Sequence, residues 1–472
     1  MEKTPHTNFT NEDTICAIAT GTGGAIGIIR ISGPKALSIT DHIFLPHGSR
    51  SLLERPTATI AYGSIIDERH QIVDEVLVSI FRAPHSYTGE DSTEISCHNS
   101  TYILQTILKI LTHNGCRLAE PGEYSKRAFV NGKMDLSQAE SVADLIASTS
   151  AAAHKLAMNQ MRGGFSKLLK QLRDQLLHIA SLMELELDFS DHEDLEFADR
   201  TELSHLLTEI EDKIRHLASS FQAGNAIKEG IPVAIVGQTN VGKSTLLNAL
   251  LGEDKAIVSS INGTTRDVIE DTITLDGLMF RFIDTAGIRQ TNNEIEQLGI
   301  QKTFQKIEQA TIVLWLVDAG RLTETMQEIR DRSTALKDKN TLLIINKCDL
   351  LNDTLQKEIS LEIKSLPYSS IFISARTGNN LDLLRHQLVT MTHIPENIEQ
   401  EDVIVSNQRH YEALCKALES ILRIRRGMEA GNPTDILTED LRDCIYHLSD
   451  IVGEVTSSDV LQNIFSHFCI GK

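Results

Sequence analysis

The segment Gly237-Gln238-Thr239-Asn240-Val241-Gly242-Lys243-Ser244 decides how the middle of this chain is read. It has the form G-x-x-x-x-G-K-[ST], an apolar run at 233–236 precedes it, and a helical stretch at 245–251 follows. Between a strand and a helix, the two glycines let consecutive backbone N–H groups wrap a phosphate. Lys243 then reaches the outer phosphate oxygens and the Ser244 hydroxyl can hold Mg²⁺. Further short apolar runs at 279–283, 312–317, 342–345 and 371–373 each end at a polar loop. That pattern predicts a mostly parallel sheet covered on both faces, a P-loop α/β domain over residues 230–395.

The loops at the strand ends specify the ligand. Asp284-Thr285-Ala286-Gly287 offers an acid for the Mg²⁺ shell and a backbone N–H for a γ-phosphate. In Asn346-Lys347-Cys348-Asp349 the last carboxylate can accept from guanine N1–H and the exocyclic amine, which adenine lacks there. Ser374-Ala375-Arg376 supplies a backbone N–H for guanine O6. In this order, each on its strand end, the three loops predict a guanine-nucleotide site. The stretch Ser259, Ser260, Ile261, Asn262, Gly263, Thr264, Thr265, Arg266, Asp267 lies where a mobile first switch belongs, and is also ordinary turn chemistry. The residue after Gly287 is Ile288 rather than a water-orienting Gln, and Arg266 and Arg289 are the candidate substitutes for a cis arginine finger. Asn240 puts a side-chain oxygen beside the phosphates, where it could hold a monovalent cation.

The flanks have other textures. Residues 1–122 read as an α+β domain, with β-rich runs at 26–31, 58–62 and 75–81 and one helical stretch at 103–111. Residues 123–229 are helical: Leu169, Leu172, Leu176, Ala180, Met183 and Leu187 form one stripe, and Leu203, Leu206, Leu207, Ile210, Ile214 and Leu217 a second, predicting an antiparallel pair. Helical periodicity returns over 396–472, at Leu414, Leu418, Ile421, Leu422 and at Leu441, Ile445, Leu448, Val452. The predicted architecture is a P-loop domain inserted into one discontinuous helical domain, behind the N-terminal α+β domain.

Composition agrees. At about 150 residues per domain, 472 residues suggest about three. A net charge of −20 excludes a generally basic nucleic-acid coat and leaves room for a local patch. No apolar run approaches the ~18 residues of a membrane span, and the start has no secretory pattern. The seven cysteines (16, 97, 116, 348, 415, 444, 469) contain no C-x-x-C, which argues against a disulfide framework or a zinc site and for a reduced, cytoplasmic location.

Several motifs outside the P-loop domain are more particular: Gly27-Ile-Ile-Arg30-Ile-Ser-Gly33, Tyr87-Thr-Gly-Glu90-Asp91, Pro121-Gly-Glu-Tyr-Ser-Lys-Arg-Ala-Phe129, Lys133-Met-Asp-Leu-Ser-Gln-Ala-Glu140 and the closing Phe468-Cys469-Ile470-Gly471-Lys472. With them the chain resembles the MnmE (TrmE) family of tRNA-modification GTPases from about Thr14 to its end. One departure is His98-Asn99-Ser100, where the family usually has His-Gly-Gly. Ribosome-maturation GTPases of the Era and Der families share the P-loop motifs, but would carry a KH-like module or tandem G domains. A third reading is a GTP-dependent scaffold without folate chemistry.

The resemblance implies an N-terminal folate-binding domain through which two copies form a homodimer. It implies work with MnmG, an FAD- and NADH-using partner, on C5 of the wobble uridine of tRNA, where an aminomethyl or carboxymethylaminomethyl group is added. The carbon would come from 5-formyl- or 5,10-methylene-tetrahydrofolate, contacted by Arg30, Glu94, Lys133 and Lys472. GTP would be bound by Asn240, Val241, Gly242, Lys243, Ser244 and Thr245, by the first switch from Ser259 to Thr265, by Asp284 to Gly287, and by Asn346, Lys347, Asp349, Ser374, Ala375 and Arg376. K⁺ would be held by Asn240, Thr264 and the carbonyls of Ser259 and Ile261, and Mg²⁺ by Ser244 and Thr265. K⁺ would stimulate hydrolysis as the G domains pair. Lys243 and Glu296 would be catalytic, Glu296 by orienting water, and the Cys469 thiol would stand beside folate and uracil. Arg423, Arg425 and Arg426 could touch tRNA phosphates or simply form a polar helix face.

Overall fold

In residues 74–81 every second side chain points into a core: Val76, Val78 and Ile80 are buried, while Glu75 and Leu77 face outward. This strand belongs to a computed structural model that describes residues 13–21, 23–188, 200–252, 271–283, 308–322, 325–326, 339–363, 366–392, 394, 403–466, 468 and 471. The chain divides into two units. Unit 1 takes Met1–Ile146, Gln160–Ile214 and Ala413–Lys472, and unit 2 takes Ala147–Asn159 and Arg215–Glu412.

Unit 1 opens with β1 (Thr14–Ile18), β2 (Ile26–Ser32), α1 (Ala36–Ile43), β3 (Phe44–Pro46), β4 (Thr59–Ile66), β5 (Ile72–Phe81), β6 (Ser92–His98), α2 (Thr101–His113) and β7 (Cys116–Leu118). The sheet order is β3-β4-β5-β6-β2-β1-β7, antiparallel except for β1 beside β7. Leu37, Ile39 and Ile43 of α1 and Leu104, Ile107 and Leu111 of α2 share one core with Ile29, Ile31, Val78 and Ile95 of the sheet. The expected runs became β2, β4, β5 and α2. β1, β3, β6, β7 and the helix α1 are additional.

α3 (Glu123–Val130), α4 (Leu136–Ala147), α5 (Ala151–Met161), α6 (Gly164–Asp188), α7 (Arg200–Ser219) and α8 (Phe221–Glu229) follow. Along α6 the side chains of Leu169, Leu172, Leu176, Ala180 and Met183 are all buried, as are Leu207, Ile210, Ile214 and Leu217 along α7. The side chains of Leu187 and Leu203 lie outside the described residues.

The parallel sheet is built from β8 (Ile231–Val236), β9 (Asp271–Leu275), β10 (Leu278–Phe282), β11 (Ile312–Asp318), β12 (Asn340–Asn346) and β13 (Ser369–Phe372), with α9 (Lys243–Leu251), α10 (Asp353–Ile363) and α11 (Leu381–Thr390). Its order is β13-β12-β11-β8-β10-β9, parallel except for β9, which pairs antiparallel with β10. Alternate residues feed opposite faces. Val233, Ile235, Leu314 and Ile344 pack with Leu246, Leu247 and Leu250 of α9 and Leu384 and Leu388 of α11. Ala234, Val236, Val313, Leu343 and Ile345 pack with Ile359 and Ile363 of α10. Both faces are thus covered, which the continuous apolar runs require.

The chain closes with α12 (Gln408–Glu429), α13 (Thr434–Val452) and α14 (Ser458–Ser466). Leu414, Ala417, Ile421 and Ile424 are the buried stripe of α12, and α13 lies along α6.

One buried cation fastens α3 to the N-terminal sheet. Arg127, 3% exposed, reaches Asp13 at 2.6 Å, Glu123 at 3.0 Å and Glu90 at 3.2 Å. Glu90 also accepts from the Ser32 hydroxyl at 2.8 Å. Burial drives the Glu90 carboxyl above the ordinary range despite Arg127. At Glu123 burial acts the same way, but bonds from Arg117, the Glu120 N–H and Arg127 outweigh it and hold the carboxyl below that range. Removing the cation leaves the buried Glu90 without its charge partner, while Glu123 keeps Arg117. Arg127→Met is therefore expected to cost about 3–5 kcal/mol, read as a lower urea midpoint by circular dichroism; an unchanged midpoint would make the cluster incidental. Because the Glu123 value is depressed on folding, its contribution is complete above pH of about 4.5 and is lost as pH falls through the folded value.

Candidate functional site

The phosphate loop joins β8 to α9, and its glycines are fixed by close packing. Gly237 has φ 149° and a Cβ there would sit 2.3 Å from the Leu316 carbonyl oxygen; at Gly242, φ 101°, it would sit 2.3 Å from the Asn346 Nδ2. Asn240 adopts φ 63°, a left-handed conformation that asparagine tolerates better than most residues. Lys243 opens α9 and its ammonium donates to the carbonyls of Gly237, at 2.8 Å, and Gln238, at 2.7 Å, so it already lies over the loop. Val241 is buried, Ser244 half-buried and Thr245 exposed.

Asn346, at the end of β12 and 3% exposed, ties this loop to the loop that follows β13. Its Nδ2 donates to the Val241 carbonyl at 2.8 Å, and its Oδ1 accepts from the Ala375 N–H at 3.0 Å. Lys347, with φ 66°, donates from Nζ to the Asn240 carbonyl at 2.9 Å and pairs with Asp318 at 2.6 Å. Asp318 ends β11 and accepts the Gly320 N–H at 3.0 Å. Burial would raise its carboxyl, but Lys347 and that N–H bring it below the usual aspartate range. Asp349 and Arg376 are exposed at the rim and Ser374 is buried beneath it. Asp318 was not singled out in the sequence; its only signal is an acid closing an apolar strand. Ser259, Ser260, Ile261, Asn262, Gly263, Thr264, Thr265, Arg266, Asp267, Asp284, Thr285, Ala286, Gly287, Arg289 and Glu296 lie outside the described residues.

A second cluster forms on the N-terminal sheet. Arg30 of β2 stands directly opposite Glu94 of β6, and their side chains pair at 2.8 Å. The guanidinium lies 5.6 Å from the centre of the Tyr87 ring and 5.7 Å from that of Tyr124. Its Nη1 donates to the Gly471 carbonyl at 3.2 Å. Tyr124 donates to the Arg30 carbonyl at 2.7 Å, and burial pushes both phenols up, so the rings stay neutral. The tail fits closely here: a Cβ on Gly471 would fall 2.6 Å from the Ile18 carbonyl oxygen. Lys133 is placed beside the same loop as Tyr87, donating to the Pro84 carbonyl at 2.9 Å and packing its stem by Gly89. Cys469 and Lys472 lie outside the described residues. The two tyrosines were visible only as parts of motifs. Their role depends on a cation from another strand.

The departure at His98-Asn99-Ser100 is accommodated locally. The Asp74 carboxylate receives the His98 N–H and faces its Nδ1, both at 2.8 Å, and Asn99 reaches the Gly21 carbonyl at 3.3 Å. Arg423 of α12 pairs with Asp440 and Asp443 of α13, and Arg425 with Glu211 of α7, so these two join α12 to neighbouring helices. Among the described residues no group of three His, Cys, Asp or Glu could hold a metal ion.

Comparison with known proteins bears on the whole chain. The MnmE helical domain matches residues 136–469, and the N-terminus of the GTP-binding protein TrmE matches residues 14–133. Proteins named tRNA modification GTPase MnmE from Phocaeicola vulgatus and Bacteroides thetaiotaomicron are 55% and 57% identical, covering 98% of this chain and 99% and 100% of theirs. The protein of that name from Porphyromonas gingivalis is 48% identical over 98% of each chain. The chain belongs to the MnmE (TrmE) family of tRNA modification GTPases.

Proposed function

We propose that this protein hydrolyses GTP in the service of tRNA wobble-uridine modification, working with an FAD-dependent MnmG partner. The observation that carries the reading is the Asn346 amide, which joins the phosphate loop to both base-recognition loops in one rigid arrangement. Phosphoryl transfer asks the protein mainly to neutralise charge and place water. Lys243 and the N–H groups at the start of α9 supply the first, and Ser244 offers a hydroxyl for Mg²⁺. Bound K⁺ would place a positive charge where other GTPases insert an arginine. Asn240 fits that role, because its left-handed backbone is held from behind by Lys347. Glu296 is proposed to orient the water, with Thr264, Thr265, Ser259 and Ile261 closing over the nucleotide as G domains pair.

For the N-terminal unit we propose a tetrahydrofolate site. Arg30, Glu94 and the tail at Gly471 already meet, and Arg30 has the charge to receive a folate carboxylate while Glu94 can accept from pterin N–H groups. Lys133, Lys472 and the Cys469 thiol complete the proposal. Leu45, Ile60, Tyr62 and Leu77 form an exposed apolar strip on β3, β4 and β5, which a second copy of the chain would cover in a homodimer. Among the described residues no helix is long and apolar enough to cross a membrane, in keeping with work in the cytoplasm on tRNA.

In a deletion strain, mass spectrometry of tRNA nucleosides should show wobble uridines lacking the aminomethyl-type C5 group, and an unaltered profile would refute the assignment. GTP should bind in preference to ATP by a factor on the order of 10⁴, Asp349→Asn should favour xanthine nucleotide, and hydrolysis should run faster in KCl than in equal NaCl. Asn240→Gly, which keeps the left-handed backbone, should abolish that cation difference, and Glu296→Ala should slow turnover without weakening GTP binding. Titrated with 5-formyltetrahydrofolate, the full-length protein should bind, and Arg30→Ala should weaken binding roughly 10- to 100-fold, the worth of a charge-assisted hydrogen bond.

A further inference from the structure

The charge of −20 is unevenly distributed. From residue 145 to 173 there is no aspartate or glutamate, where the chain's average would put about four, yet Lys155, Arg162, Lys167, Lys170 and Arg173 all fall there. Four of these belong to unit 1, at the start of α6. Arg162 lies two residues before the first residue of the helix, Lys167 in its first turn and Lys170 one turn on, all three exposed. Lys167 and Lys170, three residues apart, are neighbours on the helix surface with a rise of about 4.5 Å between them.

This placement is unfavourable in isolation. Unpaired N–H groups give a helix a partial positive charge at its N-terminus, so an acid there stabilises by about 0.3–1 kcal/mol and a cation does the reverse. The first turn of α6 contains no acid. Arg173 is committed to Glu454 and Asp174. Among the described residues the side chains of Arg162, Lys167 and Lys170 make no ion pair or hydrogen bond. Lys167, Lys170 and Arg173 also line a cleft of about 270 Å³ with Asp135, Val452 and Glu454. Its two acids are occupied, Glu454 by Arg173 and Asp135 by the Gln138 N–H at 2.9 Å. Among the described residues Arg162, Lys167 and Lys170 thus carry charge that no acidic side chain pairs directly.

We propose that the face of α6 carrying Arg162, Lys167 and Lys170 is where the sugar–phosphate backbone of tRNA docks. The inference rests on the tRNA-modification reading and adds the contact surface to it. An acidic protein can approach a polyanion only through such a local patch, and phosphates, which carry no sequence, suit cations on a helix that set position rather than specificity.

The test is the full-length protein carrying Arg162→Glu, Lys167→Glu and Lys170→Glu, against total bacterial tRNA by fluorescence anisotropy across 50–200 mM KCl. Tenfold or weaker binding is expected at physiological salt, with the slope of log affinity against log salt shallower by about 2–3, one unit or slightly less per lost phosphate contact. The melting temperature should hold or rise, since acids now stand at a helix N-terminus, so a loss of binding would not reflect misfolding. A control carrying Lys109→Glu, Lys213→Glu and Lys416→Glu, exposed lysines elsewhere in unit 1 with the same change of charge, should retain the wild-type slope. Equal losses in both variants, or wild-type affinity in the α6 variant, as an acidic protein partner for this face would give, would overturn the proposal and leave the tRNA reading standing. A wild-type protein that binds no tRNA would overturn it as well, while the nucleoside profile of the deletion strain decides the broader reading independently.

Discussion

A buried primary amide has one donor side and one acceptor side, and Asn346 uses both on the backbone of other loops. Aspartate in its place would set a carboxylate against the Val241 carbonyl, and alanine would leave a buried N–H and a buried carbonyl without partners, each costing about 1–3 kcal/mol. Its contact with Gly242 leaves no space for a Cβ, so the loop glycine and the asparagine constrain each other. Behind it, Lys347 and Asp318 form a second brace at the ends of β12 and β11 that ends on the Asn240 carbonyl. The loop at 237–244 and the loops that follow β12 and β13 thus share one framework. Displacing either displaces the other.

The N-terminal cluster uses a different device. Arg30 is held by a carboxylate, a backbone carbonyl and two aromatic faces, a set that suits a planar guanidinium and that lysine would satisfy only in part. Tyr87 and Tyr124 are fixed in turn by Ser125 and by the Arg30 carbonyl, so the cation's position is over-determined before any ligand arrives. That explains how an acidic protein keeps individual cations available.

The central strands of the parallel sheet were legible because burial on both faces leaves unbroken apolar runs, as at Ile312 to Val317. The edge strand β9 was not, though Asp276 and Gly277, both at positive φ between alternating runs, are a hairpin signal that went unread. β6 was hidden for another reason: Ser92 and Thr93 are polar yet buried, satisfied by the Ile31 carbonyl and the Thr40 hydroxyl, partners no local pattern reveals. The phosphate loop was readable because its chemistry is contiguous. Asp318 and the tyrosines beside Arg30 were not, because each acquires its role from a residue on another strand. The stripe on α6 was visible, but its main partner α13 is distant in sequence, and periodicity shows which face is buried without naming what covers it.

The tail places a constraint on how unit 1 is completed. Gly471 lies against Ile18 and accepts from Arg30, and Gly122 is packed so closely by Phe465 and Phe468 that a Cβ would fall 2.5 Å from the Phe465 carbonyl oxygen. The Arg30 cluster therefore lacks its last acceptor until the end of the chain has been made and has returned to the sheet formed by its beginning. Closing so long a loop is less expensive than its length suggests, since each doubling adds only about 0.6 kcal/mol, and the folded unit 2 within it shortens the effective span further. Apolar contacts of Leu461, Phe465 and Phe468 with Leu136 and Ala139 offset part of that entropic cost. Gly471 is thereby seated on the N-terminal sheet, and the hydrophobic anchor just before it fixes its position.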